Sequence, residues 1–447
     1  MSQVAPARRA TARILERIET RDAFADLALE AEIDRAGLSP RDAALATEIV
    51  LGVLRWRRLL DALLVPHSRT RLERLDPRVL AILRMTVYQI AFLDRIPAWA
   101  AVSDAVTLAK ARARPGVPEF VNAVLRAFAR RRPTERRAAL PPDPLDALAV
   151  GCSFPTWLAV RWVARFGREE AEQLMLAMND RPPLTVRVNP LSTSREGAAR
   201  RLREEEGLGS KPTRWAAEGL IVEHGGPPSH WKAFADGELV PQDEASMLVT
   251  HLLDPQPGET IADVCAAPGT KMGHIAALMA NRGRVIAFDR DGPRLALVHE
   301  TAARLGLTIV EPHEGAVETL APRFGAVCDR VLVDAPCSNL GVLRRNPDVK
   351  WRRSPEDIAD ARRRQRDILA AAASMVKPGG VLVYATCSLE PEENDDVVRE
   401  LVDRQPAFGI EHLADFPLAL DDGGMLRCFP HRHGTDGFTA CRLRRGP

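Results

Sequence analysis

Asp263-Val-Cys-Ala-Ala-Pro-Gly-Thr-Lys271 separates two patterns of different period. Before it, Glu259-Thr-Ile-Ala-Asp263 predicts a short buried strand; after it, Met272 to Ala280 predicts a helix. A strand, a loop of small residues and a helix make a ligand-binding turn in an open α/β sheet. Ala266, Ala267 and Gly269 let the backbone approach a ligand closely, and Pro268 stiffens the turn. The next strand, Arg284 to Asp289, ends on an acid twenty residues after Gly269. That interval is the one at which a carboxylate binds a ribose hydroxyl pair. No GxGxxG occurs to cradle a pyrophosphate. A nucleoside without phosphates fits this turn, and S-adenosylmethionine is the candidate ligand.

Working outward, the α/β alternation continues to the C-terminus. Pro293 to Leu305 predicts a helix, Thr308 to Pro312 a strand, Asp329 to Asp334 a buried strand, Pro355 to Val376 a long helix and Gly380 to Cys387 another buried strand. Thr439 to Leu443 reads as a closing strand. Three strands thus end on reactive or polar groups: Asp289, Asp334 with Cys337 just beyond, and Cys387. In open α/β sheets the ligand crevice lies outside the carboxyl ends of the strands, so the two thiols are expected to meet there. A single cysteine is most often a small buried apolar residue; two at one crevice, beside a nucleoside site, point to chemistry.

Carbon 5 of a pyrimidine is a poor nucleophile. A thiolate that attacks carbon 6 converts the ring to an enamine, and carbon 5 can then accept a methyl group. A free thiol is little ionised at neutral pH, so the site must favour the thiolate. The base must leave its stack and be held along its amino and ring-nitrogen edge, a task that suits Asp334.

Toward the N-terminus, residues up to about 132 read as helices. Ala10, Ile14, Leu15 and Ile18 share one face, Ala43 to Leu64 continues the pattern, and Asp76-Pro77 supplies a cap and a first-turn proline. The formal net charge of +2 is unevenly distributed, because residues 1–140 hold 25 Lys and Arg against 16 Asp and Glu. Such an excess is either a polyanion footprint or a solvated Arg-rich surface. The basic residues Arg344, Arg345, Lys350, Arg352 and Arg353 are read in the same two ways, as phosphate contacts or as a solvated loop. Seven scattered cysteines without a CxxC pair argue against a zinc ribbon and against a disulfide framework. No metal is therefore expected. No run approaches a membrane span, and a cytoplasmic location, no membrane partner and a monomer are expected.

Several motifs carry a resemblance. LGVLRWRRLLD (51–61), LAILRMTVYQIAFLDRIP (80–97), AVSDAVTLAK (101–110) and FVNAVLR (120–126) resemble the NusB family of RNA-binding helical bundles. DVCAAPGTK (263–271), VLVDAPCSNLGVLRRNPDVKW (331–351), YATCSLEPEEN (384–394) and FPHRHGTDGF (429–438) resemble the Sun/RsmB family of RNA 5-methylcytosine methyltransferases. The resemblance implies a multidomain chain: an all-α NusB-like bundle followed by an α/β class I, Rossmann-like methyltransferase acting on small-subunit ribosomal RNA. The expected divisions are a bundle over 1–135, a linker over 136–147, a small α/β extension over 148–239 and the methyltransferase domain over 240–447.

The resemblance further implies that Cys387 attacks the base, that Cys337 assists product release, and that Asp334 belongs to the catalytic group. Its donor contacts fall on Cys265, Ala266, Ala267, Pro268, Gly269, Thr270, Lys271, Asp289, Glu314 and Asp334. This chain departs from the family in three places. Thr270 stands where a second glycine is usual and requires a negative φ. Glu314 stands where an Asp is usual, and Ser338-Asn-Leu-Gly341 varies in what is read as a tolerant loop. The alternatives are the same chemistry on transfer RNA and a non-catalytic RNA-binding assembly factor.

Overall fold

Polar caps start two of the N-terminal helices, at Asp76 as the sequence predicts and also at Ser39. The Asp42 N–H donates to Ser39 Oγ at 3.2 Å, the Arg78 N–H donates to Asp76 Oδ1 at 2.8 Å, and Pro40 and Pro77 occupy the first turns. In the computed structural model the described residues are 4–111, 115–131, 138–223 and 225–447. Arg136 and Arg137, the start of the expected linker, lie outside them. The chain divides into two units: residues up to Asp180 with Leu343–Arg352, and Arg181–Val342 with Arg353–Pro447.

The first unit is helical. It contains α1 (Pro6–Arg21), α2 (Ala25–Ala36), α3 (Pro40–Leu64), α4 (Pro77–Phe92), α5 (Ala98–Lys110), α6 (Val117–Ala129), α7 (Pro144–Gly151), α8 (Thr156–Phe166) and α9 (Arg168–Asn179). The apolar stripes meet in one core that includes Ile14, Leu15, Ile49, Leu60, Leu83, Val121, Leu125 and Phe128. Each such side chain contributes about 1.5–3 kcal/mol on burial. Some of the arginine excess is internal: the buried Arg84 donates to Asp61 at 2.7 and 2.8 Å and to Glu19 at 2.8 Å.

The segment Leu343–Arg352 belongs to this unit, and the contacts of its Lys350 and Arg352 correct the reading of these two residues as phosphate contacts or a solvated loop. Lys350 is 1% exposed, donates to the Arg55 carbonyl and to Asn179 Oδ1 at 2.8 Å each, and lies 4.1 Å from the Phe154 ring centroid. Burial holds its pKa well below the ordinary lysine value. The Trp351 indole N–H donates to the Leu54 carbonyl at 2.6 Å, and Arg352 donates to the Asp22 carbonyl at 2.8 Å. A cation consumed in this way is a packing element. Sequence charge alone does not separate it from a phosphate contact.

The second unit holds two sheets. β1 (Leu184–Val188), β2 (Ser210–Pro212), β3 (Gly219–Val222) and β4 (Leu239–Pro241) form an antiparallel sheet in the order β2-β3-β1-β4, backed by the helix Arg195–Glu205. Within the stretch 148–239, α8 and α9 group with the first unit, and the four strands with the helix Arg195–Glu205 group with the second. The larger sheet contains β5 (Thr260–Asp263), β6 (Arg284–Asp289), β7 (Val310–Glu314), β8 (Cys328–Asp334), β9 (Val376–Thr386), β10 (Phe408–Ile410), β11 (Met425–Cys428) and β12 (Phe438–Arg445). Its order is β10-β12-β9-β8-β5-β6-β7, with β11 paired to β12. β5 through β9 are parallel to one another, and β12 runs antiparallel to β9. β5 feeds chain to β6 on one side and pairs with β8 on the other, so the order reverses at β5. That switch point opens a crevice beyond the carboxyl ends of β5 and β8. Among the described residues no single helix is long and apolar enough to cross a membrane.

Candidate active site

The crevice at the switch point is a cavity of about 350 Å³. Cys265 and Ala267 of the loop after β5, Asp289 at the end of β6, Asp334 at the end of β8, and both Cys337 and Cys387 line it. The thiols meet because Asp334 on β8 is in register with Ala385 on β9, and each chain then runs on to its cysteine. Their Sγ atoms are 3.2 Å apart. Both cysteines are free.

The loop after β5 is shaped by its neighbours. Gly269 has φ of 99°, a left-handed conformation that glycine adopts without penalty. Thr270 is not among the positive-φ residues and opens the helix Thr270–Leu278, so the departure at this position is accommodated. Asp289 accepts the Ala267 N–H through one oxygen at 3.2 Å and the Asp291 N–H through the other at 3.1 Å. Arg294 donates to the Ala267 carbonyl at 3.2 Å. Lys271 Nζ donates to Asp334 at 2.6 Å and lies 5.1 Å from the Phe438 ring centroid. Ala266, Pro268, Gly269, Thr270 and Lys271 build the loop without lining the cavity, and the exposed Glu314 side chain also lies outside the lining. The acid that lines it from this stretch is Glu318, which the sequence reading does not single out.

Asp263 is 1% exposed, and neither carboxylate oxygen has a hydrogen-bond partner. Burial first, and then the charge of Asp334, pushes its pKa up to about 7; Lys271 opposes the rise. A folded value above the ordinary 3.8 means that the stabilising contribution is fully present below about pH 4 and is lost as pH rises through about 7. Asp263→Asn stays neutral throughout. Its stability relative to the parent protein is therefore expected to rise by about 2–3 kcal/mol between pH 5 and pH 8, read from urea unfolding of both proteins. A constant gap between the two curves would show that Asp263 does not titrate in this window.

The thiols rest on a buried network that sequence reasoning missed. Ser338 comes directly after Cys337, Ser388 directly after Cys387, and both hydroxyls donate to Glu393 Oε2 at 2.5 Å. The Ser338 N–H donates to Glu393 Oε1 at 2.8 Å, and Gln365 Nε2 donates to the same oxygen at 3.0 Å. Glu393 is fully buried, and burial raises its pKa above the usual carboxylate value. Asn339, at φ of 62°, accepts from Cys387 Sγ at 3.0 Å and from Cys337 Sγ at 3.5 Å. A Cβ on Gly341 would lie 2.1 Å from the Gly437 carbonyl oxygen. The reading of Ser338–Gly341 as tolerant is corrected: each of Ser338, Asn339 and Gly341 is fixed by contact. The signal in the sequence was the paired Cys-Ser dipeptides at 337 and 387.

A second polar cluster lies behind the donor-loop helix. His251 and His274 each place Nε2 near Glu218, at 2.9 and 2.8 Å. The three side chains are of metal-ligand type. Burial first, then the buried Arg187, lowers His274 to about 3, so the ring is neutral. Arg187 also donates to the Thr270 carbonyl at 2.8 Å, tying the smaller sheet to the donor-loop helix. With that buried cation balancing Glu218, the cluster reads as a structural one.

A parallel sheet whose switch-point crevice carries a nucleoside-type turn and two thiols defines a class I methyltransferase fold with a dithiol site. Residues 250–444 match the sequence family "16S rRNA methyltransferase RsmB/F", residues 5–130 match the NusB family, and residues 154–228 match an RsmF/B-like ferredoxin-like domain. The chain is 36% identical to the "Probable ribosomal RNA small subunit methyltransferase B" of Bacillus subtilis, over 96% of this chain and 97% of that one. It is 33% identical to the ribosomal RNA small subunit methyltransferase B of Pseudomonas putida, over 98% of each. The crystal structure of PH0851 superposes with a TM-score of 0.83 at 29% identity, covering 99% of this chain and 100% of that one. NSun6 from Pyrococcus horikoshii with SFG superposes with a TM-score of 0.60 at 26% identity, covering 66% of this chain and 99% of that one. The chain belongs to the ribosomal RNA small subunit methyltransferase B family.

Proposed function

We propose that the chain transfers a methyl group from S-adenosylmethionine to carbon 5 of a cytosine in small-subunit ribosomal RNA, through a covalent bond from Cys387 to carbon 6. The observation that carries this reading is the pair of thiols, 3.2 Å apart, in the wall of the cavity that the donor loop and Asp289 also line. S-adenosylmethionine, when bound, supplies the electrophilic methyl group. Asp289, with its two backbone donors, is the ribose-binding carboxylate, and Cys265 to Lys271 form the donor loop.

Cys387 Sγ adds to carbon 6, and the ring electrons shift so that carbon 5 becomes nucleophilic. Asp334, charge-paired with Lys271, accepts from the amino edge of the base. After methyl transfer the carbon-5 proton leaves to a base, and the freed electron pair expels Cys387 Sγ. Cys337 serves that release. Its pKa is raised, first by the hydrogen bond with Cys387 and then by burial. The resemblance of the Thr386-Cys387 pair to the family's motif supports Cys387 as the nucleophile.

Bisulfite sequencing of small-subunit ribosomal RNA and transfer RNA, each incubated with the protein and S-adenosylmethionine, tests the assignment. One protected cytosine in ribosomal RNA is the expected result. Protection confined to transfer RNA, or none in either, refutes it. Asp289→Ala is expected to weaken donor binding about ten- to hundredfold, the loss of a hydrogen bond to a charged group. Unchanged donor affinity by calorimetry would remove Asp289 from the ribose site.

A further inference from the structure

Asn339 lines the thiol cavity at φ of 62°, where glycine costs nothing and most side chains are strained. Asparagine tolerates this conformation because its short polar side chain can hydrogen-bond nearby. Here that side chain reaches the thiols, with Oδ1 at 3.0 Å from Cys387 Sγ and 3.5 Å from Cys337 Sγ. The loop holds it there. The Gly341 N–H donates to the Cys387 carbonyl at 2.9 Å, and the Ser338 N–H and hydroxyl both donate to Glu393. Among the described residues, the polar side chains in hydrogen-bond contact with Cys387 Sγ are Asn339 and Cys337 alone. The charged groups that line the same cavity are Asp289, Glu318, Asp334, Arg290, Arg294 and Arg364, and none of them bonds to this sulfur.

A nucleophilic thiol must be ionised, and a neighbouring cation is the common means of ionising it. No cation touches Cys387 among the described residues, so the task falls to a neutral donor. The terminal torsion of asparagine is broad and roughly two-fold, so reversing the amide puts Nδ2 where Oδ1 stands without moving the backbone. Among the described residues Nδ2 holds no hydrogen bond that the reversal would break. Against the protonated thiol the oxygen end accepts, as in the structure; against the thiolate the nitrogen end donates. We propose that Asn339 is a catalytic residue that donates to the ionised Cys387 sulfur and so holds the nucleophile in its reactive form. The thiol proton leaves to solvent, the sulfur keeps the electron pair, and that pair then makes the bond to carbon 6. The inference rests on the reading above that Cys387 attacks, and it adds the group that stabilises the attacking form.

The test uses the full chain and two variants. Asn339→Gly suits the positive φ and removes the amide. Asn339→Asp keeps the shape and the acceptor, and its carboxylate cannot donate. The first measurement is alkylation of Cys387 by iodoacetamide at pH 7, followed by peptide mass, with no RNA or S-adenosylmethionine present. Both variants are expected to react at least about tenfold more slowly, the loss of one hydrogen bond to a charged group. Glycine opens access to the sulfur, so a slower rate there reports ionisation and not shielding. The second measurement is methyl transfer to small-subunit ribosomal RNA. kcat is expected to fall by about the same factor, with the KM for RNA and the calorimetric affinity for S-adenosylmethionine within about twofold. Alkylation needs no RNA, so slowed alkylation in a protein that methylates nothing would refute the reaction assigned above and leave the role of Asn339 standing. Parent-like alkylation in either variant would overturn the proposal. If kcat falls all the same, the contact of Asn339 is with the base and not with the thiolate.

Discussion

Cys337→Ala, incubated with small-subunit RNA and S-adenosylmethionine, is expected to accumulate a protein–RNA adduct that survives a denaturing gel. Cys387→Ala is expected to show no adduct and no turnover. The two thiols lie 3.2 Å apart and share Asn339 as acceptor, so geometry alone does not rank them. The resemblance of the two cysteine motifs to the family does. Cys387, in the Thr-Cys pair, is the thiol that the resemblance implies as the attacking group, and Cys337, in the Pro-Cys pair, the one implied to assist release. Without Cys387 no bond to carbon 6 forms, and turnover falls to background, a loss of at least about 10⁴-fold of the kind seen when a nucleophile is removed. Without Cys337 the bond forms, carbon 5 is methylated, and elimination stalls. An adduct from Cys387→Ala with none from Cys337→Ala would reverse the roles.

The parallel sheet was legible because its strands carry two signals, a short apolar run and a distinctive loop beyond it. Asp263, Asp289 and Asp334 each close a buried strand, and the loop after each is polar or small. A parallel strand buried on both faces must be apolar along its length, so the only place left for chemistry is its carboxyl end. That is why two thiols 50 residues apart could be assigned to one crevice from the sequence.

The illegible parts depended on partners distant in sequence. Lys350 reads as a surface cation until Asn179, Phe154 and the Arg55 carbonyl surround it, and nothing near Lys350 encodes them. Leu343–Arg352 lies between two stretches of the sheet-bearing unit, yet it completes the helical one. The grouping of α8 and α9 with one unit and of β1 with the other is illegible for a related reason. The helices α8 and α9 and the strand β1 succeed one another closely, and a change of packing partner leaves no mark on local periodicity. Glu314 follows from the resemblance, because it stands where the family usually has an Asp; its side chain lies outside the cavity lining, and Glu318 lines it.

Glu393→Ala is expected to lower kcat at least about 100-fold while donor affinity and the KM for RNA stay within about twofold. Glu393 touches neither thiol. It holds the residue after each of them, Ser338 and Ser388, on one carboxylate oxygen, and its other oxygen takes the Ser338 N–H and the Gln365 amide. The loop from β8 and the loop from β9 are thereby tied at one point, and this tie sets the separation of Cys337 and Cys387. Misplacement of reacting groups by about 1 Å costs on the order of 10²-fold in rate. Removal of the carboxylate also leaves buried donors unpaired, each at about 1–3 kcal/mol, so a loss of stability accompanies the loss of rate. Glu393→Gln separates the two effects. Its amide oxygen can still accept from the Ser338 N–H and from Gln365, and its volume fills the site, so it should restore stability and most of kcat. A third readout is independent of methyl transfer: the rate at which a mild thiol oxidant, diamide, couples Cys337 to Cys387 in the folded protein. The parent protein and Glu393→Gln should couple quickly and Glu393→Ala slowly, because the oxidation requires the two sulfurs to stay in contact. If Glu393→Ala loses stability but keeps its turnover and its coupling rate, Glu393 is a packing residue and does not position the thiols.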